Sequence, residues 1–392
     1  MSRQRGRCSR LRHDHVNSRV VTPPATIGML GGGQLGRYAL IAARVMGYRT
    51  MVLEPDERAP AANVADEHLV AAYDDEAALD RMASTCAVIT TEFENPPASS
   101  LERLARATDV APSAAAVAIA QDRRAEKRFL AGAGIPIAPW SVVDSADAPA
   151  VVDYPAILKT ARLGYDGKGQ ITVTSADQLP DAWIALGRGA CVVEQAMSLD
   201  VELSVIVART VDGRMATYDV AENLHVDGIL DLTVVPARVA SGVAGRATAL
   251  ARAIADALDY VGVLAVELFV VDGEVYVNEL APRPHNSGHW TLDAARASQF
   301  EQQIRAVCGV GLGDPAMTTP AVAMVNLLGD LWRHAEPDWT AALAEPRASL
   351  HLYGKLEARP GRKMGHLTIT GGSADDVATE AIELRDAISR SR

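Results

Sequence analysis

The 392-residue sequence is poor in aromatic residues, at 5%, and has only four cysteines. Cys8, Cys86, Cys191 and Cys308 stand far apart with no C-x-x-C pair. That excludes a zinc ribbon or a disulfide framework and fits reduced, packed thiols in a cytoplasmic protein. No apolar run approaches the roughly 18–20 residues needed to cross a bilayer. Excess positive charge is also missing: 38 Lys and Arg face 49 Asp and Glu, a net charge of −11, which argues against general affinity for nucleic acid. Small molecules are the expected partners, with neither nucleic acid nor a membrane among them. The first 24 residues invert the balance, with six arginines and one acid. They lack the apolar core of about 7–15 residues that a secretory signal needs. They read as a disordered basic extension outside the fold.

What is present is an ordinary globular composition, 48% hydrophobic and 22% charged, in a chain long enough for two or three domains. From Ala25 to about Gln121 short apolar runs alternate with helical patterns. Strands are expected at Thr26–Leu30, Thr50–Glu54, Leu69–Ala71 and Ala87–Thr91, the pattern of a parallel sheet wound by right-handed crossovers. Further on, strands are expected at Ala156–Lys159, Gln170–Thr174, Cys191–Gln195 and Val201–Ala208, then a helix at Ala244–Leu258. Val263–Val271 and Glu274–Leu280 follow, joined at Asp272-Gly273 as a hairpin. The last segment shows strands around Ala323–Leu327, Ser349–Tyr353 and Gly365–Thr370 and a final helix. The fold class is therefore α/β, with α+β character in the central part. Divisions are expected at 1–24, 25–121, 122–318 and 319–392.

Several stretches carry chemistry. In "GMLGGGQLGRYAL" (28–40), Gly31, Gly33 and Gly36 have the G-x-G-x-x-G spacing of a dinucleotide site, with Glu54 at the end of the next strand. At minimum the glycines place amide groups at a helix N-terminus, an anion site. "LKTARLGYDGKGQ" (158–170) sets Lys159 at a strand end, with Gly164, Gly167, Gly169 and Lys168 in a loop suited to phosphate. In "VEQAMSLDVE" (193–202), Glu194, Gln195, Ala196 and Met197 form a strand edge able to read a base. Glu202 could accept from ribose hydroxyls.

Glu267 lies in a nearly unbroken apolar strand, and Asn278-Glu279 end its partner. A strict two-residue turn pairs Glu267 with Asn278, whereas one extra loop residue brings Glu279 onto that face. Either way hard oxygen donors gather as Mg²⁺ with phosphates requires; a buried ion pair with an arginine is the plainer reading. Arg283, His285, Asn286, Ser287 and His289 follow directly, dense in polar groups as functional loops are. Lys355, Arg362 and Lys363 flank a Pro-Gly turn as a possible phosphate clamp.

In this order the motifs resemble the ATP-grasp superfamily, and within it the N5-carboxyaminoimidazole ribonucleotide synthetase family. The resemblance rests on "GGGQLGR", "TEFEN", "GYDGKGQ", "VEQ", "NLHVDGIL", "NELAPRPHNSGHWT" and "PGRKMGH", and spans Thr26 to the final helix. It implies an ATP-grasp fold with an N-terminal Rossmann-like pre-ATP-grasp domain, a lid at about 135–197, and a small β-rich C-terminal domain. It implies ATP contacts from Arg123, Lys159, Gly164, Tyr165, Asp166, Gly167, Lys168, Gly169, Gln170, Glu194, Gln195, Ala196, Met197, Glu202, His225, Asn278 and Glu279. Glu267 and Glu279 would hold Mg²⁺, as two ions. Gln34, Leu35 and Glu92, with Lys355, Arg362 and Lys363, would bind the ribonucleotide. The glycine turn at 31–36 then serves the substrate's monophosphate rather than a dinucleotide, and Glu54 becomes an ordinary strand-end residue. The implied reaction is ATP-dependent carboxylation of 5-aminoimidazole ribonucleotide by bicarbonate, in purine synthesis, by a homodimer coupled to the mutase that uses its product. Arg283, His285 and Asn286 would hold bicarbonate, and either Asp166 or His285 would take the amine proton. A formate-dependent glycinamide ribonucleotide transformylase is the nearest alternative, and an NAD-dependent dehydrogenase a more distant one.

Overall fold

The computed structural model describes residues 20–148, 151–164 and 167–390. The basic extension up to residue 19, Tyr165 and Asp166 lie outside the described residues. Val20 to Pro24 lead into the first strand, and the amide of Val21 bonds the carbonyl of Cys308 at 2.9 Å.

The N-terminal sheet contains β1 (Thr26–Leu30), β2 (Arg49–Leu53), β3 (Glu67–Leu69), β4 (Val88–Thr91) and β5 (Asp109–Val110) in the order β3-β2-β1-β4-β5. Every pairing is parallel. β1, β2 and β4 are buried almost throughout, as strands covered on both faces are. Helix α1 (Gln34–Val45) follows the glycine turn, and α2 (Glu76–Thr85) and α3 (Ala98–Ala105) complete the crossovers. Leu35 and Tyr38 of α1 pack against Phe300 and Ile304, so a helix from the far end of the chain closes this layer.

Two short helices, α4 (Ala114–Gln121) and α5 (Arg123–Gly132), are split by Asp122. The Asp122 carboxylate accepts from the Arg124 amide at 2.9 Å, capping α5 and stopping α4. A four-stranded antiparallel sheet follows, built from β6 (Trp140–Val143), β7 (Ala156–Thr160), β8 (Gln170–Val173) and β9 (Cys191–Gln195), with α6 (Leu179–Ala185) between β8 and β9. Its order is β6-β9-β7-β8.

The central sheet has nine strands. β10 (Val201–Arg209), β11 (Met215–Thr217), β12 (Ala221–Val226), β13 (Ile229–Val235), β14 (Gly262–Val271) and β15 (Glu274–Ala281) are joined by β16 (Ala321–Leu328), β17 (Ala348–Leu352) and β18 (Lys363–Gly371). The order is β15-β14-β10-β12-β13-β16-β18-β17, with β11 on β10. The last three strands therefore do not form a sheet of their own: β16 pairs with β13, in register Thr233 to Met324. Helix α7 (Ser241–Ala257) packs Ala247, Ala251 and Ile254 onto β10 and β14. After α8 (Thr291–Ala294), α9 (Gln299–Val307) supplies Phe300 and Ile304 to the N-terminal layer. Helix α10 (Thr340–Ala344) and the final helix α11 (Ala374–Arg390) cover β16 and β18. No helix among the described residues is long and apolar enough to cross a membrane. Cys86, Cys191 and Cys308 are free and buried.

The sequence pattern does not show β5, β6, β11 or the β12–β13 hairpin. That hairpin turns at Asp227 and Gly228, with φ of 51° and 77°, the same dipeptide and conformation as Asp272-Gly273 at 51° and 76°. Asn223 and His225 interrupt the apolar alternation of β12 and hide it.

Candidate active site

The central sheet presents a row of polar residues on one face. In β10 to β14 pairing Ser204 is opposite Glu267, and in β14 to β15 pairing Glu267 is opposite Glu279. The turn is the strict two-residue one, Val271 opposite Glu274, yet Glu267 does not meet Asn278. A β-bulge between Glu267 and Leu268 shifts the register by one residue. The extra residue is Asn278, inside the strand rather than in the loop, and both carboxylates end on one face.

Beside Glu279 lies a buried charge cluster from three segments. Arg123, at the start of α5, donates to Glu279 Oε2 at 2.7 Å. Lys159, at the end of β7, and Lys127 of α5 lie 3.3 and 3.1 Å from the same Glu194 oxygen. Lys127 also donates to the Asn278 carbonyl at 2.9 Å. Burial raises the Glu194 carboxyl, but Lys159 and Lys127 outweigh it and hold the group at about 2. Burial pulls the Lys159 ammonium below its ordinary value despite Glu194. Glu126 accepts from the Leu280 amide at 2.6 Å, and burial pushes it up to about 8. Lys127 and Glu126 are not legible in the sequence, since one charged helix, "RRAEKRFL", offers no sign of which turn faces inward. Two buried oxygens here lack a protein partner, Glu194 Oε1 and Asn278 Oδ1. Glu267 and Glu279, opposite each other on one face of the sheet, are hard oxygen donors of the kind that fits a divalent cation with phosphates.

The glycine loop spans β7 to β8, where Lys159 pairs with Gln170. Gly167 and Gly169 adopt φ of 73° and 72°, which a side chain resists. A Cβ on Gly167 would meet the Asp227 carbonyl oxygen at 3.0 Å, so the loop reaches the β12–β13 turn. Gly164 and Lys168 lie in the same loop, and a Cβ on Gly164 would come within 4.0 Å of the Arg123 guanidinium.

The segment Glu194–Met197 is not a sheet edge as expected, because β9 lies between β6 and β7. Gln195 and Ala196 donate their amides to the carbonyls of Pro139 and Pro155, both at 2.9 Å. Glu202, on β10, is engaged with His225 Nδ1. Burial opposes charge on His225, but the Glu202 hydrogen bond and charge raise its pKa overall.

Arg283 donates to Glu94 Oε2 at 2.8 Å, joining the loop after β15 to the segment after β4. His285 Nε2 lies 3.0 Å from Glu267 Oε1, and its backbone is clamped at both ends by the Gln299 side-chain amide, at 2.8 and 2.7 Å. Burial alone would raise the Glu267 carboxyl, but the hydrogen bond from His285, with His225 and Lys363 farther off, brings it below its ordinary value. Asn286 is 6% exposed with neither amide atom partnered, so it is open to a ligand.

His289 does not join them. It is fully buried and stacks on His366 at 4.6 Å and 5°, and on Phe300 at 5.6 Å; His366 stacks on His351 at 4.4 Å and 12°. Asp293, His351 and His366 bring donor atoms within 4.8 Å of one another. His351 Nε2 is already engaged with Asp293 at 3.0 Å and His366 Nδ1 with the Tyr353 hydroxyl at 2.9 Å, and the rings stack face to face, so hydrogen bonding and packing account for the group.

At the N-terminal turn, amides expected to be free are taken. Glu92 accepts from Gly33 and Gly36, each at 2.5 Å, and Glu54 accepts from Gly32 at 2.8 Å and from the Tyr73 hydroxyl at 2.6 Å. Glu54 is thus no ordinary strand end. The group held at this helix start is the Glu92 carboxyl, whose pKa burial raises despite those two amide hydrogen bonds. Leu35 packs its side chain in the core, leaving only its backbone for a ligand, and Gln34 is half-buried. Lys355 and Arg362 donate to the carbonyls of Lys363 and Glu357, at 2.7 and 2.9 Å. Lys363 is near enough to lower Glu267 electrostatically.

Comparison with known proteins agrees with this architecture. Residues 24–121 match a ribonucleotide synthetase preATP-grasp domain, 128–300 an ATP-grasp domain, and 322–380 a phosphoribosylaminoimidazole carboxylase C-terminal domain. Fold and site together define an ATP-using, ADP-forming ligase of the ATP-grasp class. The N5-carboxyaminoimidazole ribonucleotide synthase of Brucella melitensis is 48% identical over 353 residues, 88% of this chain and 96% of its own length. A solved N5-carboxyaminoimidazole ribonucleotide synthetase with ADP superposes at TM-score 0.87 with 39% identity, over 95% of this chain and 100% of the other. The Aspergillus clavatus synthase with ADP and 5-aminoimidazole ribonucleotide superposes at 0.81 with 30% identity, over 93% and 99%. The chain belongs to the N5-carboxyaminoimidazole ribonucleotide synthase family.

Proposed function

We propose that this chain converts ATP, bicarbonate and 5-aminoimidazole ribonucleotide into N5-carboxyaminoimidazole ribonucleotide, ADP and phosphate, a step of purine synthesis. The observation that supports it most is the convergence of Lys159, Lys127 and Arg123 with the Glu267–Glu279 pair beneath the glycine loop. Glu267 and Glu279 would hold Mg²⁺, which when bound offsets phosphate charge. Lys159 and Arg123 add fixed positive charge, and the loop amides of Gly164 to Gln170 meet the phosphates. Glu194–Met197, Glu202 and His225 belong to the adenosine side.

Bicarbonate oxygen attacks the γ-phosphorus in line and ADP leaves, giving carboxyphosphate. The exocyclic amine of the ribonucleotide then takes the carboxyl carbon, phosphate leaves, and one amine proton goes to a base. Carboxyphosphate is short-lived in water, so the loop at 164–170 shields it. Arg283, His285 and Asn286 hold the carboxyl oxygens. Gln34, Leu35, Glu92, Lys355, Arg362 and Lys363 bind the ribonucleotide, the last three supplying the phosphate's charge partners. A homodimer belongs to the same reading. The product carbamate loses CO₂ readily, so a mutase that moves the carboxyl group to carbon is the expected next enzyme.

The test is ADP release from the full chain with Mg²⁺, offered bicarbonate or formate, with and without 5-aminoimidazole ribonucleotide. Stimulation that needs bicarbonate and the ribonucleotide together is expected. Stimulation by formate with glycinamide ribonucleotide instead would move the chain to formyl transfer.

A further inference from the structure

A buried hydrogen-bond chain runs under the site and ends on His285. Thr233 Oγ1 donates to Asn223 Oδ1 at 2.9 Å, and Asn223 Nδ2 donates to Ser204 Oγ at 2.9 Å. Ser204 Oγ donates to Ser287 Oγ at 2.8 Å, and Ser287 Oγ lies 2.9 Å from His285 Nδ1. Thr233, Ser204 and Ser287 are fully buried. They come from β13, β10 and the turn after β15, and Asn223 from β12, so four segments are spent on orienting one ring.

The direction of the last link follows from a donor that cannot reverse. The backbone N–H of Ser287 donates to His285 Nδ1 at 3.3 Å, so that nitrogen is an acceptor whatever the hydroxyls do. The Ser287 hydroxyl, receiving the Ser204 hydrogen, has its own hydrogen left for the same nitrogen. A neutral imidazole with Nδ1 bare carries its hydrogen on Nε2, and Nε2 points at Glu267 Oε1, 3.0 Å away.

We infer that Ser204 and Ser287 are positioning residues that hold His285 in its Nε2–H form, so that His285 works as a hydrogen-bond donor on the Glu267 side of the site and not as the acceptor of the amine proton. This rests on the reading of the site as a carboxylating one, and it answers a question left open there, whether His285 is the base. A ring whose only outward nitrogen already bears hydrogen has no lone pair to offer the amine. Gln299, bonded to both the amide and the carbonyl of His285, fixes the backbone that carries the ring.

Two measurements on the full chain test it. The first is the side-chain ¹H–¹⁵N correlation spectrum of ¹⁵N-histidine-labelled, ligand-free protein, with the His285 signals assigned by their loss in His285→Gln. A protonated Nε2 and a bare Nδ1 are expected; the opposite pattern overturns the inference. Ser287→Ala should move those signals toward a tautomer mixture, and Ser287→Thr should restore them. Because this readout needs no turnover, it stands even if the carboxylation reading fails.

The second is steady-state kinetics. Ser204→Ala and Ser287→Ala should lower kcat about 10–100-fold, the usual effect of losing a group that orients an active-site ring, with KM for ATP unchanged. Ser287→Thr should recover most of the loss. His285→Gln keeps a donor in place of Nε2–H and should retain at least tenfold more activity than His285→Leu. Equal inactivity of the two His285 variants, with the Ser287→Ala spectrum unchanged, would make His285 the base and the serines mere packing.

Discussion

Two buried titratable clusters lie in this molecule, and they are built on opposite plans. Arg123, Glu126, Lys127, Lys159, Glu194 and Glu279 mix both signs, converge on a shared space, and leave Glu194 Oε1 and Asn278 Oδ1 without protein partners. His289, His351 and His366 stack face to face among Tyr38, Tyr353 and Phe300. In the first, charge is kept and partners are missing, the mark of a place prepared for a ligand. In the second, burial drives His289 and His366 well below the ordinary histidine range, so both are neutral and serve as flat rings. Neither burial nor a missing partner marks a site by itself, since His289 Nδ1 and Nε2 and His366 Nε2 also lack partners; convergence of retained charges of both signs does. The boundary between the plans falls within five residues, with His285 on one side and His289 on the other.

The largest expected effect is at Lys159. Lys159→Ala should lower ATP-dependent turnover about 10²–10³-fold, the usual loss for a group that stabilises developing charge. Stability should fall much less than for a broken buried pair, because Lys127 still neutralises Glu194 at 3.1 Å. Turnover and the urea midpoint, measured together, check this. A fall in stability with turnover intact would make the cluster structural and erase the contrast.

The histidine stack should show the reverse. His289 and His366 have folded pKa values depressed by burial, whereas the unfolded chain takes up protons near pH 6.5. Their contribution is present above that pH and is lost as pH falls below it, by about 1.4 kcal/mol per pH unit for each histidine. His289→Phe should remove one histidine's share of that slope between pH 6.5 and 5 and leave kcat at neutral pH within about twofold. Denaturant melts across that range supply the test, and an unchanged slope would mean that His289 is accessible to protons in the folded state.

The same contrast explains what could be read in the sequence. The strands of the N-terminal sheet and the Asp272-Gly273 hairpin follow from period and turn chemistry. So do the residues of the charge cluster that lie in motifs. Asn278 shows the limit: turn length is legible, but a bulge inside β15 depends on packing across the sheet, and it alone decides that Glu267 meets Glu279. The glycine turn shows another. Its spacing marks amides that take an acceptor, yet those of Gly33 and Gly36 go to Glu92, 59 residues from Gly33 in the chain. Lys127 and Ser204 stay hidden because neither a lysine in a charged helix nor a lone serine in the apolar strand "VELSVIVA" announces a long-range partner. His289 was read with its neighbours because proximity in sequence says nothing about which way the chain turns after Ser287.

In the proposed reaction, ATP cleavage and carboxylation are joined through bicarbonate in one site. The most direct measurement uses ¹⁸O-labelled bicarbonate with ATP and 5-aminoimidazole ribonucleotide, reading the isotope in the phosphate released. Attack of bicarbonate oxygen on the γ-phosphorus predicts one ¹⁸O carried into each phosphate formed. Phosphate free of the label, alongside normal formation of the carboxylated ribonucleotide, would contradict it.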